Sequence, residues 1–324
     1  MKTIHWGIIG CGDVTEVKSG PALQKAEHSE LVAVMRRNGA LAQDYAKRHG
    51  VPKWYDDAAA LIHDPDVDAI YIATPPSSHK EYALMSAAAG KPVYVEKPMA
   101  LNAAECEAMI QACAQANVPL FVAYYRRALE RFLKIKELID TQAIGEVRFV
   151  SITLYQPAPT AQNLGWRVDP TVAGGGYFAD LASHMLDFLD FALGPISQVQ
   201  GFAANQGGFY AAEDIVSGAF QFTSGVQGGG TWCFTAHDRL DRTEIIGSKG
   251  KITYSTFDDQ PVVLQTAVST QQFAIDYPAH IQQPLIQEIV NALNGVGSCS
   301  STGDTAVRTS RAMDQLLQNY YSSS

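Results

Sequence analysis

Between residues 2 and 123 the chain alternates two hydrophobic rhythms. Continuous apolar runs fall at residues 4–9, 31–35, 69–73, 92–95 and 120–122. They are short and lack a polar face, which predicts strands covered on both sides. Between them, residues 40–48, 78–89 and 102–116 carry apolar side chains at helical spacing. Ser78-x-x-Glu81 and Asn102-x-x-Glu105 have the form of helix-start capping signals. Gly90 and Asn117 stand where left-handed residues close helices. Alternation of this kind predicts a parallel, doubly wound sheet.

After Ala123 the rhythm changes. A helix is expected over 128–139, a long strand over 145–155, and a Pro/Gly-rich loop up to Gly176. A second helix is expected over 177–193, stopped by Gly194-Pro195. Residues 199–204, 215–222, 231–234, 243–246 and 251–254 then read as strands with turns but no helices between them. That predicts a largely antiparallel sheet. Helices over 281–293 and 304–321 follow, with a frayed tail at 322–324. The fold class is therefore α/β. A doubly wound parallel sheet over residues 1–123 precedes an α+β domain over 124–324 with a large, open, mostly antiparallel sheet.

Composition narrows this further. At 324 residues the chain suits two domains. Hydrophobic residues are 47% and charged residues 18%, the balance of a globular protein. The formal net charge is −9 and no basic run exceeds two residues, which argues against a nucleic-acid partner. The five cysteines include no Cys-x-x-Cys pair, so neither a disulfide framework nor a zinc site is expected, and no metal. Cys106 and Cys113, seven apart, mark one buried helix face. No apolar stretch reaches the length of a membrane span. Residues 1–10 read as a first strand rather than a signal peptide, and a cytoplasmic location is the expectation.

Candidate chemistry begins at Gly10-Cys11-Gly12, directly after the first strand. The first glycine permits a tight turn, and the second lets backbone approach a pyrophosphate at a helix start, here Asp13-Val14. Thr15 occupies the third position of the usual Rossmann fingerprint. The second predicted strand ends at Arg36-Arg37, where NAD-binding sites carry a carboxylate for the ribose. Guanidinium forks suit a 2′-phosphate, so NADP is favoured, with NAD as the alternative. Thr74, Pro75 and His79 follow the strand at 69–73, where such sheets bind ligands. His79 has two readings, a ligand contact or a tie to local backbone.

Two further segments supply acid–base groups. Glu96-Lys97-Pro98 ends an apolar run. The glycine triplet 174–176 precedes Asp180 and His184, which share one helix face at a spacing of four. A lysine with a histidine is a proton-handling set for alcohol–carbonyl chemistry. Trp166 and Arg167 either line a cofactor cleft or fill the loop before the triplet. Residues 124–127 (Tyr-Tyr-Arg-Arg) either reach the cleft or start a helix with snorkelling side chains.

Together Gly10-x-Gly12, Thr74-Pro75-x-x-x-His79, Glu96-Lys97-Pro98 and the triplet with Asp180-x-x-x-His184 resemble the Gfo/Idh/MocA oxidoreductases in order and spacing. Trp166-Arg167 resembles the 1,5-anhydro-fructose reductase branch. The resemblance implies hydride transfer between nicotinamide and a sugar, polyol or related carbonyl or alcohol. Lys97 would hydrogen-bond the reacting oxygen, His184 would exchange its proton, and Asp180 would hold substrate or bias the histidine. Glu96 and Lys97 would also border the cofactor, and the Lys97-Pro98 bond would be cis. Other members are dihydrodiol dehydrogenases, biliverdin reductases or dinucleotide sensors without catalysis, which stand as alternatives. The resemblance also implies a homodimer or homotetramer through the open sheet, with Val199, Phe202, Phe220, Phe222, Trp232 and Phe234 as candidates for its uncovered face.

Overall fold

The computed structural model describes residues 1–160 and 164–322. Part of the loop at 156–172 and the end of the expected frayed tail, residues 323–324, thus lie outside the described residues. Contacts divide the chain into two units. One contains Met1–Leu129 with Pro278–Val307; the other contains Glu130–Tyr277 with the residues from Arg308 onward. The sequence places a single boundary at 123/124. Residues 124–129 and 278–307 instead belong with the first unit. Ser301 Oγ donates to the Val122 carbonyl (2.8 Å), and Arg127 Nη1 donates to the Ser300 carbonyl (3.0 Å).

The first unit contains strands β1 (Ile4–Ile9), β2 (Ser29–Met35), β3 (Lys53–Tyr55), β4 (Ala69–Ile72), β5 (Val93–Val95) and β6 (Leu120–Val122). They form one parallel sheet in the order β3-β2-β1-β4-β5-β6. The chain reverses direction of winding between β1 and β4, where open α/β sheets take ligands at the strands' carboxyl ends. The intervening helices are α1 (Asp13–Val17), α2 (Gly20–Lys25), α3 (Gly39–His49), α4 (Ala58–Ile62), α5 (His79–Ala88) and α6 (Ala103–Gln115). β3 and α4 escape the sequence pattern because each is a single short stretch without a full period.

Local signals behave unequally. Asn102 Oδ1 accepts the Glu105 amide (3.0 Å), and Gly90 and Asn117 adopt φ +71° and +53°. Cys106 and Cys113 are both buried, as their spacing predicts. Ser78 does not cap α5. Pro75 and Pro76 lead into a single 3₁₀ turn, and Ser78 Oγ bonds Thr74 Oγ1 instead (2.8 Å).

The second unit opens with α7 (Glu130–Asp140), β7 (Val147–Tyr155), α8 (Pro170–Ala173) and α9 (Tyr177–Leu193). There follow β8 (Ile196–Ala204), β9 (Ile215–Phe222), β10 (Gln227–Cys233), β11 (Leu240–Gly247), β12 (Gly250–Tyr254), β13 (Val262–Thr266) and β14 (Thr270–Phe273). Their sheet has the order β14-β13-β12-β11-β7-β10-β9-β8 and is antiparallel except for the β7–β10 pair. The chain then forms α10 (Gln283–Leu293) in the first unit and α11 (Gly303–Tyr321), within which the change to the second unit falls.

One face of this sheet is covered by α9 and the later part of α11. Phe178 meets Trp232 edge-on at 5.1 Å, and Trp232 Nε1 donates to Met185 Sδ. Leu316 fills the space over Gly201 and Gly218, where any Cβ would come within 2.6 Å of it. Phe220, Phe222, Trp232 and Phe234 are therefore buried against helices rather than uncovered. Val199 pairs opposite Phe220 and shares that side. Of the six candidates only Phe202, 72% exposed, lies on the open face. It heads a polar row through Ser217, Thr231, Thr153 and Arg242.

The tightest backbone approach in the first unit is at Gly20. A Cβ there would lie 2.2 Å from Tyr45 Oη and 2.3 Å from the Thr15 carbonyl oxygen. Gly20→Ala should lower stability by about 1–3 kcal/mol through overpacking, read as an earlier midpoint in urea unfolding.

Candidate functional site

The turn after β1 is built by its neighbours. The Gly10 and Cys11 amides both donate to the Met35 carbonyl (2.8 and 3.1 Å). Gly10 has φ +93°, and a Cβ on it would fall 2.6 Å from Thr74 Cγ2, so a side chain is excluded twice over. Gly12 is different. Its backbone is extended, and a Cβ would meet nothing nearer than the Gly10 carbonyl oxygen at 3.9 Å. No protein atom demands a glycine there; the open space is a cradle for something that touches backbone. Asp13 is exposed and Val14 half-buried at the start of α1, whose first amides lack intrahelical partners. The Cys11 thiol is buried and pushed up to about 11 by that burial, so it stays protonated and contributes its backbone.

Thr15 does not supply the close contact of a third fingerprint glycine. Its hydroxyl donates to the Gly12 carbonyl (2.8 Å), and its own carbonyl accepts from Tyr45 Oη (2.8 Å). The close approach in this region is instead at Gly20, against Tyr45 of α3 and the Thr15 backbone, a feature invisible to a motif with fixed spacing. Arg36 and Arg37 are exposed beyond β2, and Arg36 Nη1 reaches the Cys11 carbonyl (3.5 Å). Asn38, next along, caps α3 through the Leu41 amide.

Thr74 and Pro75 are half-buried beside Gly10. His79 is fully buried. Its Nε2 faces the Thr74 carbonyl (2.7 Å), and its Nδ1 faces the carbonyls of Pro98 (3.1 Å) and Met99 (3.2 Å). Burial pulls its pKa below the usual imidazole value. Of the two readings of His79, the geometry gives the backbone tie. The ring clamps the Thr74 loop to the turn after β5 and has no nitrogen left for a ligand.

That turn carries Glu96, Lys97 and a cis Lys97-Pro98 bond. Glu96 is 7% exposed. Its Oε1 accepts from Tyr71 Oη and Gln282 Nε2, both at 2.6 Å, and its Oε2 accepts the Lys97 amide (3.1 Å). Tyr94 Oη donates to Gln282 Oε1 (2.7 Å), and the Tyr71 and Tyr94 rings stack at 4.7 Å. Burial, with Glu96 second, drives the Tyr71 hydroxyl well above its ordinary pKa, which keeps it a donor. Glu96 is thus a buried anchor for the backbone that presents half-buried Lys97. Gln282 lies 186 residues away in sequence, and no local signal marks it.

In the second unit, Asp180 and His184 sit one turn apart on α9. Arg167 Nε pairs with Asp180 Oδ2 at 3.2 Å, and the Arg167 guanidinium lies over the Trp166 ring, 4.6 Å from its centroid. Arg167 therefore reaches Asp180 on α9, and Trp166 stacks on Arg167. His184 is 4% exposed, with the Phe257 ring edge-on at 6.0 Å. Asp241 Oδ2 holds that wall by accepting from Ser255 Oγ and the Phe257 amide, both at 2.6 Å. Tyr124, Tyr125, Arg126 and Arg127, in the first unit, are all buried, and Tyr125–Ala128 forms a 3₁₀ turn. Arg126 lies over the Tyr125 ring at 5.2 Å. These side chains are buried within the turn rather than snorkelling from a helix start.

Gln282→Leu should destabilise the chain by about 1–3 kcal/mol, because it strips one donor from Glu96 and one acceptor from Tyr94 in a buried site. Gln282→Glu places two carboxyl groups together, and like-charge repulsion grows as both ionise. Its loss of stability in urea should therefore be larger at pH 8 than at pH 5, whereas the deficit of Gln282→Leu should change little.

Residues 4–124 match the family described as an oxidoreductase family with an NAD-binding Rossmann fold, GFO/IDH/MocA, and residues 132–253 match the GFO/IDH/MocA C-terminal domain. A relative from Formosa agariphila, named an oxidoreductase, is 40% identical over 96% of this chain and 97% of its own length. A 1,5-anhydro-D-fructose reductase of Ensifer adhaerens is 29% identical over 94% of this chain and 92% of its own. In fold, the chain matches the aldose-aldose oxidoreductase of Caulobacter crescentus with a TM-score of 0.88 at 23% identity, covering 100% and 99% of the two chains. Among the described residues no helix is long and apolar enough to cross a membrane, and no group of His, Cys, Asp or Glu is arranged to hold a metal ion. With both halves matched to the same family, the chain belongs to the Gfo/Idh/MocA oxidoreductases and is an NAD(P)-dependent enzyme of that family.

Proposed function

We propose that this enzyme uses NADP(H) to interconvert an alcohol and a carbonyl on a sugar, polyol or related small molecule. The observation that carries the cofactor part is the open space at Gly12, beside a turn whose other glycine is required by the protein itself. The residues present fit a dinucleotide. Gly10, Cys11, Gly12, Asp13 and Val14 offer backbone to the pyrophosphate, and Thr74 and Pro75 border the same turn. Arg36 and Arg37 offer forks to a 2′-phosphate at a strand end without a carboxylate. Nicotinamide, when bound, supplies or accepts the hydride.

The chain's own residues handle oxygen and proton. Lys97 would donate to the reacting oxygen and favour negative charge developing there. His184 would take or return the hydroxyl proton, the general acid–base role an imidazole can fill. Asp180 and Arg167, already paired, form a neutral polar platform that can accept from one substrate hydroxyl and donate to another. Such a platform suits a polyol better than the flat aromatic ring of a dihydrodiol or a bilin. The relative named 1,5-anhydro-D-fructose reductase supports the same substrate class.

Purified protein should change absorbance at the nicotinamide band with NADP and a member of a sugar and polyol panel, and Lys97→Met should abolish the change. Arg36→Ala should lower kcat/KM for NADP by about tenfold or more while leaving that for NAD nearly unchanged, since one charge-assisted contact to phosphate is lost. Gly12→Val should still fold, losing at most about 1–2 kcal/mol from the poorer helix N-cap, yet lose nucleotide binding in a fluorescence titration; retained binding would show that Gly12 is not the cradle.

The open sheet face, with Phe202 and Phe149 exposed, would join copies of the chain into a homodimer or homotetramer. Light scattering should then give a multiple of the chain mass, and Phe202→Asp should shift the mass toward the monomer.

A further inference from the structure

The helix bearing Asp180 and His184 starts without any of the usual devices. Its N-cap is Gly176, which has no side chain to cap with, and the position that would carry a capping-box glutamate is Ala179. Three successive glycines also leave this start with little conformational preference of its own. The missing carboxylate comes from elsewhere in the chain. Glu213, fully buried just before β9, accepts the Gly176 amide on Oε1 at 2.8 Å. That is the bond a capping-box glutamate would make, closed from 37 residues away. The glycines permit it: a Cβ on Gly176 would lie 2.7 Å from the Glu213 carbonyl oxygen, and one on Gly175 would lie 3.3 Å from Oε1.

Glu213 is itself held. Tyr321 Oη, at the end of α11, donates to its Oε2 at 2.5 Å. Tyr320 Oη donates to the Ala211 carbonyl (3.1 Å), and Asn319 exchanges hydrogen bonds with the Ala203 backbone (3.1 and 3.2 Å). The neighbouring Asp214 accepts the Gln206 and Gly207 amides. The segment bearing Glu213 is therefore fixed from both sides. Burial pushes the Glu213 carboxyl above its usual range, with the Asp214 charge adding to it and the bonds from Tyr321 and Gly176 opposing it.

We infer that Glu213, locked by Tyr321, is a positioning residue: it clamps the first turn of α9 and thereby sets where Asp180 and His184 stand. The clamp touches neither substrate nor cofactor and acts through the Gly176 amide. It rests on the oxidoreductase reading for its catalytic consequence, though not for its geometry.

The test compares Glu213→Met, Glu213→Gln and Tyr321→Phe with wild type in steady-state kinetics, NADPH titration and amide hydrogen exchange over residues 176–184. Glu213→Met keeps the volume but loses the acceptor. It should exchange faster across that turn and lose about tenfold or more in kcat, the scale of a small misplacement of reacting groups, with NADPH affinity unchanged. Glu213→Gln keeps an acceptor for Gly176 and a partner for Tyr321, so it should behave as wild type. Tyr321→Phe, the variant that folds if Glu213→Met does not, should lose about fivefold in kcat, the worth of one hydrogen bond. Faster exchange with wild-type kcat and substrate KM in Glu213→Met would overturn the inference, as would equal damage in Glu213→Gln. A wild-type chain without turnover would count against the oxidoreductase reading, and unaltered exchange in Glu213→Met would then refute the clamp on its own.

Discussion

A carboxylate removed from water loses hydration worth several kcal/mol unless donors replace it. Glu96, at the end of β5, is such a group, and satisfying it draws Tyr71, Gln282 and the Lys97 amide into one arrangement. The demand of one buried charge thus organises the turn on which Lys97 stands. Residues 278–307, which belong to the first unit, supply Gln282 to this arrangement. His79 completes the turn from the other side with three carbonyl contacts. Glu213 imposes the same demand in the second unit, where its donors are Gly176 and Tyr321. In each unit the element bearing the proposed chemistry hangs from a buried carboxylate.

The dinucleotide turn shows how a familiar constraint can be met by unfamiliar residues. A fingerprint glycine ordinarily lets the first helix approach the sheet closely. Here Thr15 stands in its place and turns its hydroxyl back to Gly12, and the tight glycine contact of the region lies at Gly20, between helices, against Tyr45. Gly10 is glycine because Thr74 leaves no room, whereas Gly12 is glycine where the protein leaves room. The two residues of one motif therefore serve opposite purposes.

In the second unit the aromatic side chains divide between the core and the surface. Trp232, Phe220, Phe222 and Phe234 close the core under α9, and that packing gives the helix a firm floor. Trp166 keeps 39% of its surface exposed and stacks Arg167, which in turn pairs with Asp180. The exposed Trp166 ring carries a guanidinium, whereas the four buried rings pack only against protein.

Much of this was legible in the residue order, because the signals concerned are local. Apolar runs became parallel strands, Asn102 capped the helix that follows it, Gly90 and Asn117 took left-handed backbone, and the spacing of four put Asp180 and His184 one turn apart. The motif set also identified the family, since its residues recur at fixed spacing whatever surrounds them. The sequence could not say which side of β9 and β10 the helices would cover, because a period of two marks alternation but not direction. Nor could it choose between the two readings of His79, find Gly20 behind Thr15, or connect Gln282 to Glu96 and Tyr321 to Glu213. Those pairings join residues up to 186 positions apart. They exist only because folding closes long loops and then requires every buried polar group to find a partner, a condition decided by tertiary structure alone.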